Sequence, residues 1–158
     1  MTRKQLVITF ILMSVAATTT AVFYATQAGE IEAQKIHRKF KKGDYETAIR
    51  TYEKSPNQSP ARKEVLKELG YSYQWSGQHD KAIEIFRKVL EKEPGDREIK
   101  AALAQTLSWE KRYDEAIALG RELAQSGKDP KSNMELAQIY IWSGRCADAQ
   151  TLLEARLK

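Results

Sequence analysis

Cysteine and histidine, versatile as nucleophile, base and metal ligand, are scarce in this 158-residue chain: one cysteine, Cys146, and two histidines, His37 and His79. A nucleophilic centre needs a nucleophile, a base and an orienting group within hydrogen-bond reach. His37 and His79 fall at unrelated places with no carboxylate–cysteine set beside them, and read as solvent-exposed histidines. A zinc site needs several cysteines or a His-Glu-x-x-His spacing, and the sequence has neither. It also lacks a glycine-rich phosphate loop, a nucleophile elbow and a haem-attachment motif. Glu91, Glu93 and Asp96 read as a solvated face near a helix end. Cys146 reads as a small residue in a helix–helix turn, and an intermolecular disulfide is open to it only outside the cytoplasm. No catalytic residue, metal or cofactor is expected, and the chain reads as a non-enzyme.

The residues with regular spacing are aromatic and small. Trp75, Trp109 and Trp142 recur at intervals of 34 and 33, and Ala48, Ala82, Ala116 and Ala149 at 34, 34 and 33. Gly43, Gly77 and Gly144 stand five residues before three of these alanines, and Lys111 takes the fourth such place. Three independent markers sharing one period indicate a repeat architecture. The one-residue shortening lies between Ala116 and Trp142, in the second helix of the third unit or the turn around Ser126-Gly127-Lys128.

Each unit reads as two helices. In the second, Leu66, Leu69, Gly70 and Tyr73 make one face of a first helix. Gly77 breaks it, and a second helix follows with Ala82, Ile83, Phe86, Val89 and Leu90 on one face before Pro94-Gly95-Asp96 stops it. Neither helix can bury its stripe alone, so hairpins must form and stack. Gly70 and Ala82 allow close approach. Trp75 is two residues past Tyr73, a rotation of about 200°, so it points away from the hairpin core, on the side of Glu64, Glu68 and Tyr71. The equivalents are Glu98, Ala102, Gln105 and Trp109, then Lys131, Glu135, Gln138 and Trp142. Gly120 stands where the second unit has Phe86, which leaves the third hairpin without a large plug and locally loose.

These residues resemble the tetratricopeptide repeat family. Lys63 to Asp96 matches its pattern at Leu69-Gly70, Tyr73, Gly77, Ala82, Phe86 and Pro94. The third unit matches at Leu103-Ala104, Leu107, Tyr113 and Ala116, and the fourth at Leu136-Ala137, Tyr140, Gly144 and Ala149. The first is degenerate in its opening helix, where Lys35, Ile36 and Lys39 replace the usual packing residues, but regular at Gly43, Tyr45, Ala48, Tyr52 and Pro60. The resemblance implies an all-α, right-handed superhelix of about four hairpins over residues 29–158, in units 29–62, 63–96, 97–129 and 130–158. It implies a concave face, built from the first helices, that holds protein partners. Tyr71, Trp75, Gln105, Trp109, Gln138 and Trp142 are the candidate partner-binding residues on that face. For the tryptophans a second role is open, as partly buried wedges that set superhelix pitch. The family's chaperone-tail clamp has a lysine and an asparagine in the groove. Lys67 matches the first and Tyr71 replaces the second, which argues against that ligand. The last hairpin, with Leu152, Leu153 and Leu157, lacks a polar cap and is a further candidate surface for a partner or a second copy.

Residues 1–28 contain Arg3 and Lys4 and no acid, and Leu6 to Ala28 carries no charge. Its 23 residues span about 34 Å as a helix, against a hydrocarbon core of about 30 Å. The expected reading is a single-pass anchor through residues 6–28, with a cleaved signal peptide as the alternative. The two leading bases argue for an exported, periplasmic or other extracytoplasmic repeat domain, whereas Lys35, Arg38, Lys39, Lys41 and Lys42 argue the other way. Beyond residue 28 there are 24 bases and 21 acids, interspersed as at Lys88, Glu91, Lys92 and Glu93. That is no nucleic-acid footprint. The expected function is a membrane-tethered, non-catalytic interaction scaffold in a cell-envelope assembly. The Gln74-Trp75-Ser76-Gly77 and Ile141-Trp142-Ser143-Gly144 segments are similar to repeats of polysaccharide-export and secretion proteins. A structural subunit of an integral membrane complex, or an assembly factor in cytochrome or pilus biogenesis, are the alternatives.

Overall fold

The structure is a computed structural model that describes residues 3–54, 63–126 and 130–155. These form eight α-helices and no strand: α1 (Arg3–Lys41), α2 (Tyr45–Glu53), α3 (Lys63–Trp75), α4 (His79–Lys92), α5 (Arg97–Trp109), α6 (Tyr113–Ser126), α7 (Pro130–Trp142) and α8 (Cys146–Glu154). They pair as four hairpins. Each second helix also packs on the next first helix, and the first helices α1, α3, α5 and α7 stand side by side.

The turn inside every hairpin is the same object. In α3 the amide of Gly77 donates to the Gln74 carbonyl at 3.2 Å and that of Gln78 to the Tyr73 carbonyl at 2.9 Å, the paired bonds of a left-handed helix cap. Phe40–Gly43, Ser108–Lys111 and Ile141–Gly144 repeat it. Such a cap needs a positive φ, which glycine adopts without steric cost: Gly43, Gly77 and Gly144 have φ of 72°, 77° and 79°. Lys111 is forced to 59° at the equivalent place.

Packing follows the period. Ala48, Ala82, Ala116 and Ala149 are all buried. A Cβ on Gly70 would sit 2.5 Å from the Phe86 ring, so the absent side chain is what admits the plug. At Gly120 the expected looseness is absent. A Cβ there would meet Leu136 Cδ1 at 2.9 Å, because the buried Leu136 and Ile139 of α7 fill the space from the next hairpin. The degenerate first unit packs as well: Ile36 is buried with Ala48 and Val65 in a small cluster of its own. The one-residue shortening, expected in the second helix of the third unit or the turn around Ser126-Gly127-Lys128, falls in part on residues 127–129, which lie outside the described residues.

The expected N-terminal apolar helix is present, as the first part of α1. The apolar segment and the first helix of the first hairpin form one uninterrupted helix of 39 residues. Its N-terminal part is long and apolar enough to cross a membrane, and none of that stretch is buried against the protein. Six side-chain hydroxyls there bond to carbonyls three or four residues back, among them Thr18, Thr19 and Thr20, so their polarity is answered within the helix.

Candidate functional site

The first helices expose a groove of about 490 Å³ between α3, α5, α6 and α7. Its rows follow the repeat. Tyr71, Gln105 and Gln138 occupy equivalent places on three successive first helices, and all three line the groove with Trp142. Ala101, Ala102 and Ile139 contribute its apolar surface, and Gly120 and Leu123 reach it from α6.

Tyr71 is held in place. Its hydroxyl donates to Glu98 Oε1 at 3.0 Å, and its ring meets Phe86 edge-on with centroids 5.4 Å apart. Burial, reinforced by the Glu98 carboxylate, pushes the phenol far above its ordinary value, so it remains a proton donor at any physiological pH. Gln105 and Gln138 are the opposite case. Both are exposed, and no side-chain bond to another described residue engages either amide. They present donors and acceptors to whatever enters. Trp142 is 44% exposed at the α7 end of the row.

Trp75 and Trp109 stand outside the groove. Trp75 is 59% exposed. Trp109 is 36% exposed and its ring lies 5.3 Å from that of His79, so it contacts α4 of the preceding hairpin as a wedge would. Of the six candidates, four line one groove and two do not.

One residue that the sequence left aside matters here. Arg97 bonds to Ser126 Oγ at 2.5 Å, the Leu123 carbonyl at 3.2 Å and Ser132 Oγ at 3.1 Å, joining α5, α6 and α7 at the groove wall. Nothing in the repeat pattern marks it, since no other unit carries arginine there. The two histidines each face a carboxylate, a contact on which the sequence reading was silent. His37 Nδ1 lies 2.5 Å from Glu68 Oε1 and His79 Nδ1 lies 2.6 Å from Glu110 Oε1. Each pair bridges to the following hairpin, a contact invisible in sequence because the partners are 31 residues apart. Lys67 is engaged as well, by Asp96 and, at 3.6 Å, by Glu93. Among the described residues no three histidine, cysteine, aspartate or glutamate side chains converge on a common point.

The tetratricopeptide repeat family model matches residues 39–106 and 107–158. The chain belongs to the tetratricopeptide repeat family. Solved structures agree on the fold. One of MamA, a D159K mutant, superposes with a TM-score of 0.68 at 23% identity, over 80% of this chain and 70% of that one. A second MamA structure, the RS-1 ArsTM double mutant, gives 0.69 at 17%, over 82% and 73%. A Podosopora anserina protein with nearly identical TPR-like repeats gives 0.61 at 21%, over 80% and 72%. Identities this low carry the fold and no partner. A search of curated proteins finds no match. The tetratricopeptide repeat fold is one of protein–protein interaction, and the groove lies on its first-helix face.

Proposed function

We propose that the chain is a non-catalytic scaffold, tethered to a membrane through residues 6–28, which holds a protein partner in the groove lined by Tyr71, Gln105, Gln138 and Trp142. The observation that carries it is the pair of equivalent amides, Gln105 and Gln138, which no described residue engages. Two unengaged amides at one register beside a half-exposed indole form a polar and aromatic surface of the kind interfaces use. Units 29–62, 63–96, 97–129 and 130–158 are the divisions of this scaffold, and its setting is a cell-envelope assembly of the polysaccharide-export or secretion type.

A photo-crosslinking residue at position 138 or 142 tests the groove. It should capture the same partner from native membranes, and position 88, on the side chain of a second helix, should not. Equal capture from all three positions would end the groove reading. The unburied apolar part of α1 also suits a subunit of an integral membrane complex. Pull-down with and without residues 1–28 separates the two, since only the subunit reading requires the helix for partner retention.

A further inference from the structure

We propose that the outer face of α1 just beyond its apolar stretch binds the phosphates of anionic lipids, so that the membrane surface, and not the helix alone, fixes the posture of the repeat domain. This rests on the reading of residues 6–28 as a membrane span. Segment 33–43 contains Lys35, Arg38, Lys39, Lys41 and Lys42 and no acid. Among the described residues, only Lys39 of these meets a carboxylate, Asp44 at 2.8 Å. Arg38 donates to the Gln34 carbonyl at 3.4 Å. Lys35, Arg38, Lys41 and Lys42 are exposed, and no described carboxylate pairs with any of them.

Their placement is not uniform around the helix. At 100° per residue, Ile31, Lys35 and Arg38 fall within about 60°, turned away from the buried Ile36, and Lys42 follows in the turn just past the end of α1. Nearest the apolar stretch, Ile31 is itself 53% exposed, so the face runs from apolar to cationic in the direction leading away from a bilayer. With Ala28 at the hydrocarbon edge, Lys35 stands about 10 Å and Lys42 about 21 Å further along the axis. The headgroup layer is about 5–8 Å deep, and an anionic surface acts over about a Debye length, about 8 Å. An upright helix would leave Lys42 out of reach. The apolar segment, however, is about 34 Å long against a core of about 30 Å, a mismatch that tilting relieves. Tilt toward the cationic face lowers Lys35, Arg38 and Lys42 toward the phosphates, and their flexible stems cover the remaining distance. Each base close to an anionic surface strengthens binding about five-fold. Opposed to this face lie only Glu30 and Glu32, on the bilayer side of the cluster.

Lysine acylation of the full chain in lipid nanodiscs, read by peptide mass spectrometry, tests this. Discs of phosphatidylcholine are compared with discs containing about one-third phosphatidylglycerol. Lys35 and Lys42 should react several-fold more slowly in the anionic discs, with the difference lost in high salt, and Lys88 on α4 should react equally in both. Arg38→Glu should weaken the protection of Lys35 and Lys42 without changing the melting temperature. Equal rates in the two discs would overturn the proposal while leaving the span intact. Protection reproduced in neutral discs by inorganic phosphate alone would overturn it too, because the site would then be a free-anion site. Failure of the chain to enter either disc would remove the span as well.

Discussion

Lys111 shows how one residue can be out of step with its position. It holds φ of 59° where the other three hairpins use glycine, and a side chain in that region costs about 1–2 kcal/mol. Part of the gain from removing it is cancelled, because glycine also frees the unfolded chain. Lys111→Gly should therefore stabilise the protein by roughly 0.5 kcal/mol, and Gly77→Ala should destabilise it by about 1 kcal/mol, both read from urea midpoints. The tryptophans divide by environment in the same way. Trp109 is wedged against His79, so Trp109→Ala should cost on the order of 2 kcal/mol and leave partner affinity unchanged once folded. Trp142 lines the groove, so Trp142→Ala should cost little stability and weaken partner binding by ten-fold or more, measured by titration calorimetry. The sequence placed all three indoles alike. What separates them is the neighbouring hairpin's residue, histidine in one case and open groove in another, and a period of 34 does not encode that.

Between elements, the repeat pattern was legible wherever packing is local to one hairpin. The alanines, the glycine caps and the Gly70–Phe86 pair all follow from residues inside a single unit. It failed at Gly120, where the filler comes from the next unit, and it was silent on the histidines, whose carboxylates are 31 positions away. Two glycines thus look alike in sequence and differ in consequence. Gly70→Ala drives a Cβ into a rigid, fully buried ring at 2.5 Å, and overpacking of about 1–3 kcal/mol should outweigh the helix propensity gained. Gly120→Ala meets the mobile end of Leu136 at 2.9 Å and should be close to neutral. The start of α2 adds a pH dependence. The Lys39 ammonium, followed by the Thr47 bond, lowers Asp44 from 3.8 to about 2. A carboxyl depressed on folding stabilises above its unfolded value and loses that contribution as pH falls through the folded one. Wild type should therefore lose stability from about pH 4 to pH 2 more steeply than Asp44→Asn, as followed by circular dichroism.

For the molecule as a whole, the decisive feature is that α1 has no joint. Sequence composition divides it near residue 28, where the apolar run stops, but composition does not mark a hinge. Gly29 lies inside the helix with nothing within 4 Å of its would-be Cβ, so the backbone continues from exposed apolar stretch to buried Ile36 on helical hydrogen bonds alone. Across a bilayer, such a rod would transmit its tilt directly to the first hairpin, and through shared packing to the groove. The single cysteine, Cys146, is exposed at the far end of the solenoid and serves as the reporter. A fluorophore there, paired with a dye at the bilayer surface, should give one narrow distance distribution for the wild type. Gly29→Pro removes a backbone bond and bends the rod at a site that packs against nothing. It should broaden that distribution while leaving the melting temperature of the repeats unchanged. A wild-type distribution already as broad as the variant's would mean that the helix is jointed in lipid, and that the groove is displayed on a flexible tether with no fixed posture.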